Sequence, residues 1–252
     1  MKEKTEKIKS GDFILLLSRE NSFLMVKTDK VLQTSQGFID TNIIRHFGQE
    51  IKSSTGQKFI VAKPSFIDIL RKCKRGPQII MPKDAVHIIA ITGLANGWKC
   101  LDAGSGSGFL AIFLGNMVKP DGSVTTYEKD EKFYENVRKN ILFCGLDKTV
   151  KVINRDAKKF EEKSLDLITL DMRNAEKMVK KCWKALKHGG WFCVYSPHIE
   201  QQKEVMEEMK KLDFTQIITI ENIQRSWQVS DFTHPKPSGI MHTGFMTFGR
   251  KV

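Results

Sequence analysis

The stretch that most constrains this 252-residue chain lies at residues 100–110 and reads CLDAGSGSGFL. Three glycines and two serines separate an apolar run typical of a buried strand from a second run, GFLAIFLGNMV, typical of a helix. Glycine adopts positive φ angles at no steric cost and lets a ligand approach the backbone closely. The first turn of a helix adds unpaired N–H groups that attract phosphates or carboxylates. The stretch therefore predicts a strand-to-helix turn that binds a nucleotide-like ligand.

Strand-like and helix-like patterns alternate along most of the chain. Between residues 98 and 196 the predicted strands are WKCLDA, SVTTYE, VKVIN, LDLITLD and WFCVYS, and helical patterns follow most of them. Two further strands are expected near residues 215–221 and 243–249. This order predicts a Rossmann-like α/β fold, with a doubly wound, mostly parallel sheet covered by helices on both faces.

The first sixty residues follow a different pattern. Short β-favouring runs, FILLL, SFLMVK and QKFIVAK, are separated by turn residues, which predicts a small β-rich domain. A short helix over residues 65–75 is expected after Pro64. We therefore expect a β-rich N-terminal domain over residues 1–63 and an α/β catalytic domain over residues 64–252.

Composition narrows the cellular setting and the class of partner. The net charge of +12 is typical of proteins that bind a polyanion. No apolar run approaches the roughly 20 residues of a membrane helix, and the charged N-terminus lacks the form of a signal peptide, so we expect a cytoplasmic protein. The five cysteines are odd in number and show no CxxC spacing, so we expect neither a zinc site nor a disulfide framework.

The spacing of the loop glycines distinguishes between nucleotide-type ligands. The dinucleotide pattern GxGxxG would place its third glycine at residue 109, where this chain has Phe109. The pattern over residues 102–108 is instead DxGxGxG, and no lysine follows it as a phosphate-binding loop requires. This departure favours S-adenosylmethionine, which carries no phosphate. The candidate binding residues of the loop are Gly104, Ser105, Gly106, Ser107 and Gly108.

Acidic residues end the three strands that follow the loop strand in the sequence. Glu128 lies twenty residues after Gly108, where a carboxylate accepts hydrogen bonds from ribose hydroxyls. Asp156, with its neighbour Ala157, could accept from the adenine amino group of the cofactor, and Asp171 ends the next strand. Since ligands bind at the carboxyl ends of such strands, the three acids and the loop together indicate a nucleotide-type site.

Four stretches resemble the class I S-adenosylmethionine-dependent methyltransferases, and among them the tRNA (adenine-N1)-methyltransferases that modify adenine 58 and, in archaea, also adenine 57. The stretches are RGPQIIMPKD at 75–84, LDAGSGSG at 101–108, SPHIEQ at 196–201 and HTGF at 242–245. They are similar, in that order, to the segment before the family's catalytic domain, its cofactor loop, the turn after its fifth strand and the start of its last strand. The β-rich N-terminal domain fits as well, so the resemblance extends over most of the chain.

The resemblance implies a seven-stranded methyltransferase sheet, an S-adenosylmethionine donor, a tRNA substrate and a homotetramer. Carried over by position, Ser105 to Gly108, Glu128 and Asp156 would hold the cofactor, and Asp171 would be the catalytic acid that faces the target adenine. Two departures concern the pocket for that base. The turn after Asp171 reads MRNAE and lacks the family's proline and aromatic residue, and Met81 stands where a tyrosine is common.

Other readings of the sequence remain open. One is a class I methyltransferase with a different RNA, a protein carboxylate or a small molecule as acceptor, which the charge and the C-terminal resemblance disfavour. Another is a non-catalytic tRNA-binding subunit, which the complete loop and acids disfavour. The basic run RKCKR at residues 71–75 is a candidate RNA contact, although a solvated helix face explains it equally well. Trp227 could stack on a base or pack in a connecting segment.

Overall fold

The computed structural model of the protein describes residues 7–19, 22–26, 30–76, 79–237 and 242–252. It forms two compact units, Met1–Cys73 and Lys74–Val252. We expected the boundary after residue 63, and it lies ten residues later, after Cys73. The reason is that the helix after Ser65 belongs to the first unit instead of opening the second. Among the described residues, no helix combines the length and apolar character needed to cross a membrane.

The N-terminal unit is built from short antiparallel strands. Its elements are β1 (Phe13–Leu17), β2 (Ser22–Val26), β3 (Val31–Thr34), β4 (Gly37–Asp40), a 3₁₀ helix (Thr41–Ile43), β5 (Glu50–Lys52), β6 (Lys58–Ala62) and α1 (Phe66–Leu70). The main sheet has the order β2–β1–β6–β5, and β3 pairs with β4 as a separate hairpin. Buried side chains such as Ile14, Leu16 and Phe59 form its core. The β-rich prediction is confirmed, although Lys27 of the expected second strand lies outside the described residues.

The second unit alternates helices and strands. Its elements are α2 (Pro82–Thr92), β7 (Lys99–Ala103), α3 (Phe109–Val118), β8 (Ser123–Glu128), α4 (Glu131–Phe143), β9 (Val150–Asn154), a 3₁₀ helix (Ala157–Lys159), β10 (Leu165–Leu170), a 3₁₀ helix (Ala175–Met178), α5 (Val179–Ala185), β11 (Leu186–Ser196), α6 (Ile199–Lys210), β12 (Phe214–Glu221), β13 (Trp227–Gln228), β14 (His234–Pro235) and β15 (Phe245–Lys251). Of the stretch 75–84 that carries the resemblance, Pro77 and Gln78 lie outside the described residues.

Seven of these strands form one sheet in the order β12–β15–β11–β10–β7–β8–β9. Both pairs that involve β15 are antiparallel, whereas the other neighbours among β7 to β11 are parallel. The chain proceeds from β7 to β8 on one side and reaches β10 on the other, so the sheet changes direction beside β7. Ligands bind at such a switch point, outside the carboxyl ends of the strands. The predicted doubly wound α/β fold is confirmed.

Strand β11 begins five residues earlier than the expected strand at 191–196. Gly189 and Gly190 lie inside this strand instead of before it, and Gly189 adopts a φ of 78°. Leu165 pairs with Leu186 and Leu167 pairs with Trp191, so the register shifts between the two pairs. The glycines therefore allow a bulge that redirects β11, which is a frequent role of glycine within a strand.

Helix α3 is apolar on all sides, as is typical of a helix enclosed by the fold, and eight of its ten residues are buried. Gly115 lets it approach β9 closely, since a Cβ at this position would lie 2.2 Å from Val150 Cγ2. The helix begins at Phe109, directly after the glycine loop. Its close packing therefore fixes the C-terminal side of that loop.

We expect the turn between α3 and β8 to be intolerant of a side chain. A Cβ at Gly122 would lie 2.5 Å from the carbonyl oxygen of Val118 and 2.6 Å from that of Trp98, and neither backbone atom can give way. Gly122→Ala should lower the free energy of unfolding by about 2 kcal/mol or more, as overpacking does. Gly249→Ala is the matched control, because its new Cβ would meet mainly the flexible end of Met209, with the Phe214 ring at 3.3 Å, and should cost less than Gly122→Ala.

Chemical denaturation monitored by circular dichroism measures both values. Equal losses in the two variants would contradict this account of the turn.

Candidate active site

The buried carboxylate of Asp102 joins three strands beneath the glycine loop. Thr126 Oγ1 donates to Asp102 Oδ2 at 2.7 Å, and Thr169 Oγ1 donates to Asp102 Oδ1 at 2.8 Å. Ser105 Oγ lies 2.5 Å from Thr126 Oγ1 and extends the network into the loop. Burial raises the pKa of Asp102, and the two threonine hydroxyls act against that rise. Asp102 on β7 thus connects β8, β10 and the loop through hydroxyl side chains.

The loop itself can form only with glycine at its first position. Gly104 adopts a φ of 90°, and a Cβ there would lie 1.9 Å from the carbonyl oxygen of Asp171. Gly108 adopts a φ of 78° as the N-cap of α3, and a Cβ there would lie 2.9 Å from Val137 Cγ1. The loop is therefore pressed against the end of β10 on one side and against α4 on the other.

Glu128, the last residue of β8, is held by two backbone donors. Its Oε2 accepts from the N–H of Gly106 at 3.1 Å, and its Oε1 accepts from the N–H of Asp130 at 3.0 Å. A carboxylate has about four lone-pair sites, so each oxygen keeps capacity to accept from a ligand. This arrangement fixes the carboxylate beside the loop and leaves it able to accept from a pair of hydroxyls.

A cavity of about 390 Å³ opens at the carboxyl ends of β7, β8 and β10, within the size range of small-molecule sites. Five candidate residues line it: Gly104, Glu128, Asp156, Ala157 and Asp171. A smaller cavity of about 20 Å³ adjoins the loop, where Ser105, Gly106 and Ser107 meet Ile79 and Ile80. Eight of the nine residues expected at the site thus line one cavity or both, and the ninth, Gly108, caps α3 behind them.

Asp156 has a local structural role besides its place in the cavity wall. Its Oδ1 accepts from the N–H of Lys158 at 2.9 Å and caps the 3₁₀ helix that begins at Ala157. The cap orients one carboxylate oxygen along the chain. It also holds Ala157 in the wall of the larger cavity.

Asp171 lies at the junction of the two cavities. Its N–H donates to the carbonyl oxygen of Ala103 at 2.8 Å, which continues the pairing of β10 with β7. Burial raises the pKa of its carboxyl to about 7, and the nearby charge of Asp102 adds to that rise. Asp171 can therefore change between its neutral and ionised forms near physiological pH.

The backbone after Asp171 is held by the SPHIEQ turn. Gln201 Nε2 donates to the carbonyl oxygen of Met172 at 2.9 Å, and Gln201 Oε1 accepts from Ser196 Oγ at 2.8 Å. Ser196 Oγ in turn accepts from the N–H of His198 at 3.1 Å. These contacts explain why the turn after β11 matters to the site, because they position the residue that follows Asp171.

Asn140 is a site residue that the sequence reasoning missed. Its Oδ1 accepts from the N–H of Lys74 at 2.9 Å, and its Nδ2 donates to the carbonyl oxygens of Lys74 and Ser107, both at 2.9 Å. The N–H of Gly76 also donates to Ser107 Oγ. Asn140 thus attaches the segment before Ile79 to the glycine loop. The available signal was an asparagine among Val137 and Ile141 on the buried stripe of α4.

Gly104→Ala tests whether the loop must touch the end of β10. The new methyl group should push the loop away from Asp171, lower stability and weaken S-adenosylmethionine binding by about tenfold or more. Gly97→Ala is the matched control, since Gly97 also has a positive φ of 84° but a Cβ there would have no atom within 4 Å. Titration calorimetry should show control affinity equal to that of the wild type. Equal donor affinity in both variants would contradict the proposed contact.

Solved structures of methyltransferases match nearly the whole chain. A SAM-dependent O-methyltransferase from Thermotoga maritima superposes with a TM-score of 0.86 at 33% identity, covering 97% of this chain and 94% of that one. The tRNA (m1A58) methyltransferase TrmI from Aquifex aeolicus superposes with a TM-score of 0.81 at 26% identity, covering 98% and 99%. The methyltransferase sheet implied by the sequence resemblance is therefore confirmed.

Curated relatives point to one branch of these enzymes. The tRNA (adenine(57)-N(1)/adenine(58)-N(1))-methyltransferase TrmI of Methanocaldococcus jannaschii is 32% identical over 94% of both chains. The tRNA (adenine(58)-N(1))-methyltransferase TrmI of Thermus thermophilus is 27% identical over 81% of both. Residues 71–244 match the family described as the tRNA methyltransferase complex GCD14 subunit. This chain therefore belongs to the GCD14 family of S-adenosylmethionine-dependent tRNA methyltransferases.

Proposed function

We propose that this protein transfers a methyl group from S-adenosylmethionine to N1 of an adenine in tRNA. The target is adenine 58 of the T-loop, and the name of the Methanocaldococcus relative makes adenine 57 a second position to map. The observation that carries the proposal is the cavity in which the half-buried Asp171 adjoins Glu128 and Asp156 beside the glycine loop. A carboxylate at that position suits an acceptor that becomes positively charged.

The residues around the cavity fit S-adenosylmethionine. Glu128 would accept hydrogen bonds from its ribose hydroxyls, and Asp156 with Ala157 would meet its adenine ring. The loop from Gly104 to Gly108 would face the rest of the donor, because it is bare enough for close backbone approach. When bound, S-adenosylmethionine supplies an electrophilic methyl group on a sulfonium that leaves as a neutral thioether.

Asp171 would act on the acceptor base. A neutral adenine ring becomes a cation when its N1 gains a methyl group, so positive charge spreads toward the 6-amino group. An ionised Asp171 would accept a hydrogen bond from that amino group and stabilise the charge where it develops. The remaining contribution is positioning of the two reactants in line, so no nucleophilic side chain is required.

Basic residues around the site suit an RNA substrate. Lys129, Arg155, Lys158 and Arg173 line the larger cavity, and they would contact phosphates near the base. N1 lies on the pairing edge of adenine, so the base must leave its stack to reach Asp171. The exposed side chains of Arg71 and Lys72 in one unit, and of Lys74 and Arg75 in the other, are further phosphate contacts that we propose. We also propose a cytoplasmic homotetramer, as the family resemblance implies.

A second candidate is methylation of an oxygen acceptor, which the description of the Thermotoga maritima structure suggests. A hydroxyl acceptor would need a base to remove its proton, and a carboxylate with a pKa of about 7 could serve as one. The high positive charge of the chain and the identity with tRNA methyltransferases favour the adenine acceptor.

Methylation of an unmodified tRNA transcript, followed by nucleoside mass mapping, tests the proposal. We expect 1-methyladenosine at position 58, and its absence alongside methylation of a ribose or another oxygen would favour the second candidate.

Asp171→Asn keeps the shape of the side chain but removes its charge. It should lower kcat by about 10²- to 10³-fold, in line with the loss of an electrostatic contact to the transition state, while donor affinity stays within a few-fold. A variant as fast as the wild type would exclude this role for Asp171.

The pH profile provides a separate prediction. Because the pKa of Asp171 is about 7, the carboxyl is protonated below that pH and no longer offers a negative charge to the cation that develops on the adenine. The value of kcat/KM should therefore rise about tenfold per pH unit below neutrality and level off above it. Asp171→Asn should lack this acidic limb. A wild-type rate that stays flat between about pH 5.5 and 8 would contradict the assignment.

A further inference from the structure

A buried ion pair outside the cavities occupies the first turn of α2. Lys83 Nζ lies 2.8 Å from Asp84 Oδ1, and the side chain of Asp84 is 0% exposed while that of Lys83 is 12% exposed. A buried carboxylate is costly unless its partner is well placed and its other lone pairs are satisfied. Such a pair needs an explanation beyond stability, because apolar side chains of similar size fill a core equally well.

Every proton of the Lys83 ammonium group has an acceptor. Besides Asp84, Lys83 Nζ donates to the carbonyl oxygen of Asn222 and to Thr243 Oγ1, both at 2.7 Å. Thr243 Oγ1 donates onward to Asp84 Oδ2 at 2.8 Å, and Asn222 Nδ2 donates to Asp84 Oδ1 at 3.3 Å. Two adjacent residues of α2 therefore hold two residues that are 21 positions apart in the sequence.

Asn222 and Thr243 are the two ends of one excursion of the chain. Asn222 follows β12, and Thr243 lies two residues before β15. We name residues 222–243 the arm. Its described part includes the small β13–β14 ladder and the exposed side chain of Trp227. Because β12 and β15 are antiparallel neighbours, the arm leaves and re-enters the sheet at the edge that carries the candidate site.

Thr243 also connects this cluster with the catalytic edge. Burial raises the pKa of Tyr195 to about 12, Thr243 acts against that rise, and the charges of Asp84 and Asp171 add to it. The next residue, Gly244, packs on the tyrosine, since a Cβ there would lie 2.5 Å from Tyr195 Cζ. In the sheet register Leu170 pairs with Val194, so Asp171 and Tyr195 follow side by side. A shift of Thr243 would therefore move Gly244 and the Tyr195 ring, which lies on the strand next to Asp171.

We propose that Lys83, Asp84 and Thr243 form a clamp that positions the acceptor side of the active site. The clamp holds the two ends of the arm together, and through Thr243 it holds the adjacent Gly244 against Tyr195, which lies beside Asp171. These are positioning residues, since they act through Tyr195 and the arm. The proposal rests on the proposed function, because it assigns the clamp to the tRNA side of the reaction and not to the donor side.

Thr243→Val and Thr243→Ser form the sharpest pair of variants. Valine keeps the branched shape and removes the hydroxyl that Lys83 and Asp84 share, whereas serine keeps the hydroxyl. A double variant, Lys83→Met with Asp84→Asn, removes both charges together and so leaves no lone charge in the core. Lys211→Met is the control, because it breaks an exposed ion pair with Glu208 before the start of β12, whereas the arm follows the end of that strand.

Hydrogen exchange measured by mass spectrometry tests the clamp without any reaction. In Thr243→Val and in the double variant, peptides within residues 223–237 should exchange about tenfold faster, because local opening becomes easier. Peptides over the glycine loop should exchange as in the wild type. Thr243→Ser and Lys211→Met should match the wild type throughout.

Kinetics test the assignment to the acceptor side. We expect kcat/KM for tRNA to fall about tenfold in Thr243→Val and in the double variant, as misplacement of a reactant does. The affinity for S-adenosylmethionine by calorimetry should stay within about twofold. Thr243→Ser should restore the rate. A general loss of structure would weaken donor binding as well, which separates positioning from instability.

The outcomes distinguish this proposal from the proposed function. Unchanged exchange in the arm, or unchanged kcat/KM despite faster exchange, overturns the clamp while tRNA methylation by the wild type stands. Loss of donor affinity in parallel with the rate overturns it too. If the wild type methylates no tRNA, the proposed function is wrong, and the assignment of the clamp to the acceptor side is wrong with it. This result would be known before any variant is made. The Thr243 pair keeps the test available if the double variant does not fold.

Discussion

The Asp102 carboxylate is the contact on which the active edge of this protein depends. An isolated ion in a core is strongly disfavoured, so its position requires the threonines at the matching register of the two neighbouring strands. Thr126 and Thr169 each donate one hydroxyl proton, and each bond removed would leave a buried acceptor short of a partner at a cost of about 1–3 kcal/mol. Because three strands share the same carboxylate, the carboxyl ends of β7, β8 and β10 are held in register with one another. The glycine loop can then contact β10 at Asp171.

The same carboxylate also affects the chemistry of the site. Asp102 raises the pKa of Asp171, although burial is the larger cause. The charge of Asp102 thus disfavours ionisation of Asp171 when no positive charge is nearby. An acceptor that gains positive charge acts in the opposite direction and favours the ionised form of Asp171. The arrangement therefore couples the ionisation of Asp171 to the arrival of positive charge, which is what methylation of a neutral base requires.

Sequence reasoning succeeded where the signal was local. The places of Glu128, Asp156 and Asp171 at or just after strand ends could be predicted because apolar runs stop there, and the parallel order of the strands brings them to one edge. It failed where the outcome depended on distant partners. Nothing near Asn140 indicates that it would bond Lys74 and Ser107, and the two glycines before Trp191 lie at a bulge inside β11 instead of before its start. The division after Cys73 likewise depends on which core the α1 segment joins.

The turn after Asp171 differs from the family pattern, and the structure gives a physical reason why it can. A proline would fix the backbone locally through its ring. Here the reversal comes from Asn174, which adopts a φ of 58°, a conformation that asparagine tolerates better than most residues. Gln201 then holds the carbonyl oxygen of Met172 from across the site. Without the aromatic residue, the wall beside Asp171 is formed by Met172, Arg173 and Asn174. An acceptor base at this wall would meet a flexible thioether, a cation and an amide, so hydrogen bonds and charge would contribute more to its placement than ring stacking does.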